Sequence, residues 1–157
     1  MLNNLKILDF TTLLPGPFGT LLLADLGADI VHIARPNKET ILLDSYLQRN
    51  KKSIVANLKD AVTVEKLKSL VKEYDIIIEQ FRPGVMERLG LGYEALKEIN
   101  PSIIYCSITG YGQTGPYRNR AGHDINYVAL SGIPSHSGSK NSGPPNLGVQ
   151  IADIAGG

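Results

Sequence analysis

The sequence predicts an α/β fold, in which helices flank a parallel β-sheet. Five short apolar runs recur along residues 1–108, and segments with helical spacing of apolar side chains lie between them. Strands that alternate with helices favour parallel pairing through right-handed crossovers, which is a Rossmann-like architecture. Hydrophobic residues make up 43% and charged residues 20% of the 157 residues, so a single domain with a real core is expected.

The first half of the chain is predicted to contain three strands and two helices. The predicted strands are residues 5–10, 29–33 and 53–58. The first helix is predicted to begin at Pro15-Gly16-Pro17, because the first helical turn tolerates proline. Gly27 is predicted to end this helix. The second helix is predicted over residues 59–73, where apolar residues recur at helical spacing among Lys and Glu.

The second half continues the pattern and then changes character. Residues 75–79 form a continuous apolar run that is typical of a strand buried on both faces, and residues 102–108 are the fifth predicted strand. Short helices are predicted at 86–89, 93–99, 123–132 and the last few residues. Residues 134–148 are rich in Gly, Pro, Asn and Ser, which predicts a long loop of the kind that is usually functional or mobile.

Composition excludes several classes of function. The net charge of +1 argues against bulk binding of nucleic acid, and no apolar stretch is long enough to span a bilayer. The N-terminus lacks the features of a secretory signal, and Cys106 is the only cysteine, so a reducing cytoplasm is the simplest location. Three histidines without ligand spacing make a metal site improbable, and His32 and His136 have no partner pattern.

The basic run Arg49-Asn50-Lys51-Lys52 has two interpretations. A solvated surface is the default for such a run. The alternative is a site for the phosphate groups of a small ligand.

The segment 110–115 reads Gly-Tyr-Gly-Gln-Thr-Gly, which matches the spacing of a dinucleotide-binding loop. Such a loop also needs a helix that opens at its last glycines, and here Pro116 and a polar stretch follow instead. No acidic residue ends a strand about twenty residues further on, which the same motif requires. We therefore interpret this segment as a glycine-rich bend that lets a ligand approach the backbone.

Two further segments hold the candidates for chemistry. His123 and Asp124 directly precede an apolar helix, where they can start and cap the helix, or His123 can act as a base with a pKa near the working pH. Asp153 lies among small and apolar residues, where it can be a helix cap, or be partly desolvated and so suited to acid or nucleophile chemistry.

Several motifs together resemble the class III CoA-transferase and racemase family, and within it the alpha-methylacyl-CoA racemases. The matching segments are Leu14-Pro15-Gly16-Pro17-Phe18, Leu23-Ala24-Asp25-Leu26-Gly27-Ala28, Phe81-Arg82-Pro83-Gly84-Val85-Met86, Ile103-Ile104-Tyr105, the segment 110–115, Ala121-Gly122-His123-Asp124-Ile125-Asn126-Tyr127 and Ala152-Asp153-Ile154-Ala155-Gly156-Gly157. The resemblance covers essentially the whole chain, and it implies that residues 1–157 are the N-terminal part of the large domain of the class III CoA-transferase fold. The rest of that domain and a smaller domain would be absent.

The resemblance also implies a function and a site. The function is epimerisation of 2-methylacyl-CoA thioesters, with His123 and Asp153 as the acid–base pair. N–H groups near residues 122–126 and 153–155 would stabilise the enolate oxygen. The implied contacts to CoA and substrate are Arg35, Ala56, Asn57, Leu58, Lys59, Arg82, Ala121, Gly122, Asp124, Ile125 and Asn126. No cofactor is implied, because coenzyme A is part of the substrate, and the full-length protein is expected to be an interlocked homodimer that binds neither nucleic acid nor membrane.

Two alternatives remain open within this resemblance. A class III CoA-transferase would use Asp153 as a nucleophile that accepts the acyl group. The presence of His123 favours the racemase, because the transferases usually lack histidine at that place in the motif. The third interpretation is an inactive CoA-binding fragment, since family members are more than twice as long, and this chain alone is expected to be inactive.

Overall fold

The computed structural model describes residues 1–36 and 42–157, and these residues contain five strands and seven α-helices. The strands are β1 (Lys6–Asp9), β2 (Asp29–Ala34), β3 (Lys52–Val55), β4 (Ile76–Glu79) and β5 (Ile104–Ser107). The helices are α1 (Pro15–Asp25), α2 (Leu42–Leu47), α3 (Ala61–Leu70), α4 (Val85–Arg88), α5 (Tyr93–Lys97), α6 (Asp124–Ser131) and α7 (Ile151–Gly156). Short 3-10 helices follow α3 and α6, at Val71–Glu73 and Ile133–His136.

The strands form one parallel sheet in the order β3-β2-β1-β4-β5. Leu8 of β1, for example, is opposite Val31 of β2 on one side and Ile77 of β4 on the other. The chain runs outward from β1 to one edge and then returns to build the other side from β4. This arrangement confirms the predicted α/β fold with a Rossmann-like parallel sheet. The order in which strands are added to the sheet reverses between β1 and β4.

Each face of the sheet has its own apolar core, because side chains alternate between the faces along a strand. Leu8 and Ile77 pack with Leu67, Met86 and Leu96 under helices α3 to α5. Ile7 and Ile78 point the other way and join Ala24, Ala28 and Ile30 beside α1. Both clusters are formed only by residues that precede residue 109. The last third of the chain therefore contributes no residue to these two clusters.

Local sequence explains where the long helices begin and end. Pro15 lies in the first turn of α1, as predicted, and Gly27 follows the helix with φ of 101°, a left-handed value that favours glycine. The Asp60 carboxylate accepts the N–H of Thr63 at 3.0 Å and so caps α3. Among the described residues, no helix combines the length and the apolar character that crossing a bilayer requires.

The structure departs from the predicted elements in two places near β3. Strand β3 ends at Val55, and the predicted end at residue 58 is wrong, because the chain turns at Asn57. The Asn57 side chain accepts the N–H of Lys59 at 3.1 Å, and its carbonyl accepts the N–H of Asp60 at 3.0 Å. Helix α2 was not predicted, since six residues are too few to show helical periodicity.

Candidate functional site

A cavity of about 520 Å³ opens beyond the carboxyl ends of β1, β4 and β5. Residues from the segments that follow these strands line it, and so do residues of α6 and α7. In open α/β sheets, ligands bind at the carboxyl ends of the strands where the strand order changes direction. The cavity lies beside that point, and its volume is that of a small-ligand site. The fold thus brings two late helices over the ligand-binding edge of the sheet.

His123 and Asp153 both line this cavity, although thirty positions separate them in the chain. His123 directly precedes α6, and its N–H donates to the Asn126 side-chain oxygen at 2.9 Å. This bond fixes the beginning of the helix, as the helix-start interpretation of His123 predicts. The histidine side chain remains exposed at the cavity wall. The structure therefore brings together the two residues expected to form the acid–base pair.

Asp153 lies within α7 and is partly buried. Burial raises the pKa of its carboxyl above the usual value, and the negative charge of Asp124 raises it further, while His123 lowers it. Gln150 precedes α7, so the prediction that Asp153 caps a helix is wrong. Instead its carboxylate accepts a hydrogen bond from the Gln150 amide at 3.3 Å. Partial desolvation of Asp153 is the alternative that the structure bears out.

One interpretation of the sequence predicted that Asp124 caps its own helix, α6. The structure shows that it does not, because the cap position is His123. The Asp124 Oδ1 accepts the N–H of Ala152 at 2.7 Å and the N–H of Asp153 at 3.1 Å, both at the beginning of α7. The N–H of Asp153 is therefore already bound in this structure. In the segments expected to supply donors to an enolate oxygen, the N–H groups of His123, Asn126 and Ile154 also have partners: the Asn126 side chain, the His123 carbonyl and the Gln150 carbonyl.

Three arginines, Arg82, Arg118 and Arg120, line the same cavity. The Arg120 guanidinium lies 4.2 Å from the centre of the Tyr117 ring, a stacking contact that orients it. Within the described part of the chain, none of the three forms an ion pair with a carboxylate. The cavity wall therefore carries positive charge that can attract an anionic group.

The glycine-rich segment 110–115 packs against a tyrosine. No helix opens after it, as expected, and the next α-helix is α6. A β-carbon added at Gly110 would lie 2.2 Å from the Tyr127 ring, so this glycine makes room for that ring. Tyr127 in turn packs edge-on against Tyr111, with ring centres 5.2 Å apart. The segment forms part of the cavity wall through this packing.

Gly110→Ala is expected to displace the Tyr127 ring from the cavity wall. The new methyl group overlaps the ring, and the side chain must rotate away at a cost of about 1 kcal/mol in unfolding free energy. NMR contacts between Tyr111 and Tyr127 would then be lost. Gly148→Ala is the matched control, because a β-carbon there meets no atom within 4 Å. Retention of the Tyr111–Tyr127 contacts in Gly110→Ala would contradict this account.

Only some of the residues expected to contact CoA lie at the cavity. Arg82, Ala121 and Gly122 line it, together with the catalytic candidates. Asp124, Ile125 and Asn126 form the first turn of α6 outside the lining, and Ile125 and Asn126 are exposed there. The others lie outside the cavity lining, on the side of the sheet that carries β2 and β3: Arg35, Ala56, Asn57, Leu58 and Lys59.

The five expected CoA contacts on the side of β2 and β3 have different surroundings. Ala56 is buried in the core and Leu58 packs against it, so neither offers a side chain to a ligand. Arg35 is exposed and lies 5.8 Å from the ring centre of Phe81, which does line the cavity. An extended ligand that leaves the cavity past Phe81 would therefore meet Arg35.

A buried polar cluster behind the cavity was missed by the sequence interpretation. The Asp9 carboxylate, at the end of β1, accepts hydrogen bonds from Thr11 at 2.5 Å and from Thr20 at 2.7 Å. Lys51 donates to Thr20 at 2.6 Å and to the carbonyl of Pro17 at 3.0 Å, and its Nζ lies 3.4 Å from Asp9. The side chains of Asp9 and Lys51 are fully buried, at 0% exposure. The cluster fixes the first turn of α1, which borders the cavity at Pro15.

The basic run at residues 49–52 therefore fits neither interpretation. It is not fully solvated, and its cations already pair with carboxylates instead of being free to bind phosphate groups. Arg49 pairs with Asp25 at 2.5 Å and Lys52 with Asp29 at 2.7 Å, while Lys51 is buried against Asp9. His32, to which the sequence assigned no role, is also buried, with Nδ1 3.8 Å from the Asp9 carboxylate. A charged residue at the end of an apolar strand was the signal that could have located this cluster.

Comparison with known proteins places these features in a family. A family model described as CoA-transferase family III matches residues 2–157. Succinyl-CoA:glutarate CoA-transferase from Homo sapiens is 43% identical over 171 residues, covering 99% of this chain and 39% of that protein. Alpha-methylacyl-CoA racemase from Homo sapiens is also 43% identical, over 159 residues that cover 99% of this chain and 40% of that protein.

Solved structures agree with the sequence matches. A CAIB/BAIF family protein from Brucella suis has a TM-score of 0.89 and 37% identity, covering 98% of this chain and 45% of that one. Rv3272 from M. tuberculosis has a TM-score of 0.89 and 33% identity, covering 99% of this chain and 45% of that one. The chain thus spans about two fifths of the length of the relatives it matches.

Proposed function

Because the chain belongs to CoA-transferase family III, we propose that the protein is an acyl-CoA-handling enzyme that epimerises 2-methylacyl-CoA thioesters. The observation that carries the proposal is the presence of His123 and Asp153 on the wall of one cavity. A histidine can act as a base near neutral pH. A carboxyl group whose pKa is raised by burial can supply a proton.

The proposed reaction moves one proton off the α-carbon and another onto its opposite face. A nitrogen of neutral His123 takes the α-proton, and the electrons of the broken C–H bond move to the thioester oxygen to give an enolate. The Asp153 carboxyl then delivers its proton to the other face of the carbon, which inverts the centre. The turnover leaves His123 protonated and Asp153 ionised, so both must exchange protons with solvent before the same direction is repeated.

The enolate oxygen needs hydrogen-bond donors as its negative charge develops. The first N–H groups of a helix have no partner within that helix. Helix α6 begins next to His123 on the cavity wall, so we propose that the N–H groups of Asp124 and Ile125 in its first turn provide these donors. This chemistry uses no cofactor beyond the CoA of the substrate.

CoA transfer is the second candidate, and the three arginines favour it. Arg82, Arg118 and Arg120 suit a substrate with a free carboxylate, such as the acids that the names of the related transferases specify. In that reaction Asp153 attacks the thioester carbonyl, CoA thiolate leaves and a mixed anhydride forms. CoA thiolate then attacks the aspartyl carbonyl of the anhydride, which releases the first acid and leaves an aspartyl-CoA thioester. The incoming carboxylate attacks this thioester to give a second mixed anhydride and free CoA thiolate. The thiolate attacks the new acyl carbonyl, which forms the new acyl-CoA and frees Asp153.

Incubation of the full-length protein with a single-epimer 2-methylacyl-CoA in deuterated water would test the proposal. NMR should show deuterium entering the α-position as the epimer ratio approaches one, because each product proton comes from a group that exchanges with solvent. A parallel sample with an isotope-labelled free acid should show no label in the thioester. Label transfer without α-deuteration would establish the transferase instead and overturn the racemase proposal.

A further inference from the structure

The Asp124 side chain connects the two helices that carry the candidate acid and base. Asp124 is the first residue of α6, directly after His123. Its Oδ1 accepts the N–H groups of Ala152 and Asp153, at 2.7 Å and 3.1 Å, from the first turn of α7. One carboxylate oxygen thus links the end of α6 that bears His123 to the backbone of Asp153 itself.

Helix α7 depends on such contacts for its position. It has six residues, and an isolated helix of that length is not stable in water. The first N–H groups of a helix are unpaired, and Asp124 binds two of those in α7 from outside the helix. The other side of α7 packs on α1, where a β-carbon at Gly19 would lie 2.5 Å from Gly157. Asp153 therefore has a fixed place only while both sides of α7 are held.

Several groups of the described residues surround the Asp153 carboxyl. From α6 and its start, Asp124 and His123 act on it, and the Tyr127 hydroxyl lies close enough to interact. Gln150 donates to it from the residue before α7. Helix α1 contributes one charged residue, Asp25, which is paired with Arg49. Arg82, Arg118 and Arg120 line the same cavity. Asp124 is therefore the negative charge that bears most directly on Asp153.

We propose that Asp124 is a positioning residue for Asp153, acting by holding the backbone of α7 and by its negative charge. The inference rests on the proposed function, in which Asp153 is the reacting acid. It gives Asp124 a role other than the substrate contact that the sequence resemblance implied. The same charge is a reason why the pKa of Asp153 is raised, which suits a group that must donate a proton.

Two substitutions in the full-length protein separate the two actions. Asp124→Asn keeps an oxygen that accepts both N–H groups but removes the charge. The Asp153 carboxyl should then titrate at lower pH, measured by ¹³C NMR of labelled aspartate. Hydrogen exchange at Ala152 and Asp153 should stay near the wild-type rate. Asp124→Ala removes the acceptor, so exchange at these two amides should rise by about tenfold.

Asp60→Asn is the matched control. Asp60 also accepts an N–H at the beginning of a helix, but that helix is α3, which contributes no residue to the cavity that Asp153 lines. This variant should leave the titration of Asp153 and the exchange of its amide unchanged.

Each outcome decides one part of the proposal. An unchanged Asp153 titration in Asp124→Asn would overturn the electrostatic role, and unchanged amide exchange in Asp124→Ala would overturn the positioning role. Both readouts are independent of catalysis. If they respond as expected while Asp153→Asn keeps full activity, the proposed function is wrong and the link between Asp124 and α7 stands.

Discussion

Asp153→Asn is expected to lower the rate of epimerisation by about 10²–10⁴-fold, the range typical of removing a general acid or base. Asparagine has a similar shape but cannot deliver a proton, so the α-carbon would lose its donor on one face. His123→Ala should have a loss of the same size, because it removes the base on the other face. Both rates are measured in the full-length protein by α-deuteration and by the change in epimer ratio.

The pair of variants also separates the two candidate reactions. A transferase needs the Asp153 nucleophile but no base at His123, so His123→Ala would retain acyl exchange onto a free acid. His136→Ala serves as the control, because His136 is exposed and does not line the cavity. Epimerisation at the wild-type rate in either His123→Ala or Asp153→Asn would refute the two-group mechanism.

Lys51→Met is expected to lower the free energy of unfolding by about 3–5 kcal/mol, which is typical when one partner of a buried ion pair is removed. The Asp9 carboxylate would remain buried among Thr11, Thr20 and His32 without its ammonium partner. Methionine fills most of the space of lysine, so the loss reports charge more than volume. Urea unfolding at neutral pH, followed by circular dichroism, measures the change.

The neighbouring lysine provides the control for this prediction. Lys52 forms an exposed ion pair with Asp29, and Lys52→Met should cost less than about 1 kcal/mol. Adding Asp9→Asn to Lys51→Met should recover much of the lost stability, because the buried charge is then removed from both sides. Equal losses for Lys51→Met and Lys52→Met would show that the buried cluster contributes little.

The effect of Lys51→Met should also depend on pH. In the wild-type protein, burial acts to raise the pKa of Asp9, but the neighbouring His32, the Lys51 charge and hydrogen bonds from Thr11 and Thr20 outweigh it, so the pKa is lowered. A carboxyl with a lowered pKa in the folded state stabilises the protein above its unfolded-state pKa. That contribution is lost as the pH falls through the folded-state pKa. Without Lys51, protonation of Asp9 becomes favourable instead, so the difference between variant and wild type should shrink in acid.

The sheet could be predicted from the sequence because its signals are local. The apolar run at residues 75–79 predicted a strand buried on both faces, and β4 has that environment, with Ile77 and Ile78 buried. Proline and glycine marked the ends of α1 correctly. The end of β3 was wrong because one asparagine side chain turns the backbone there, and periodicity does not detect such a bond.

Most features of the site depend on contacts between distant parts of the chain. Lys51 looked like a surface residue because its neighbours in sequence are charged, whereas its partner Asp9 is 42 positions away. His123 and Asp153 were paired only through the family resemblance, since no local pattern relates two residues thirty positions apart. The hydrogen bonds from α7 to Asp124 likewise join segments that sequence spacing does not connect.

The location of both apolar clusters before residue 109 has a consequence for how this chain is made and how it can change. During synthesis the sheet and its two cores leave the ribosome first, and they can fold before the helices that carry His123 and Asp153 emerge. Mutations in the later segment therefore change residues that lie outside both apolar clusters. Such separation allows the residues of the site to change while the folding of the sheet is preserved.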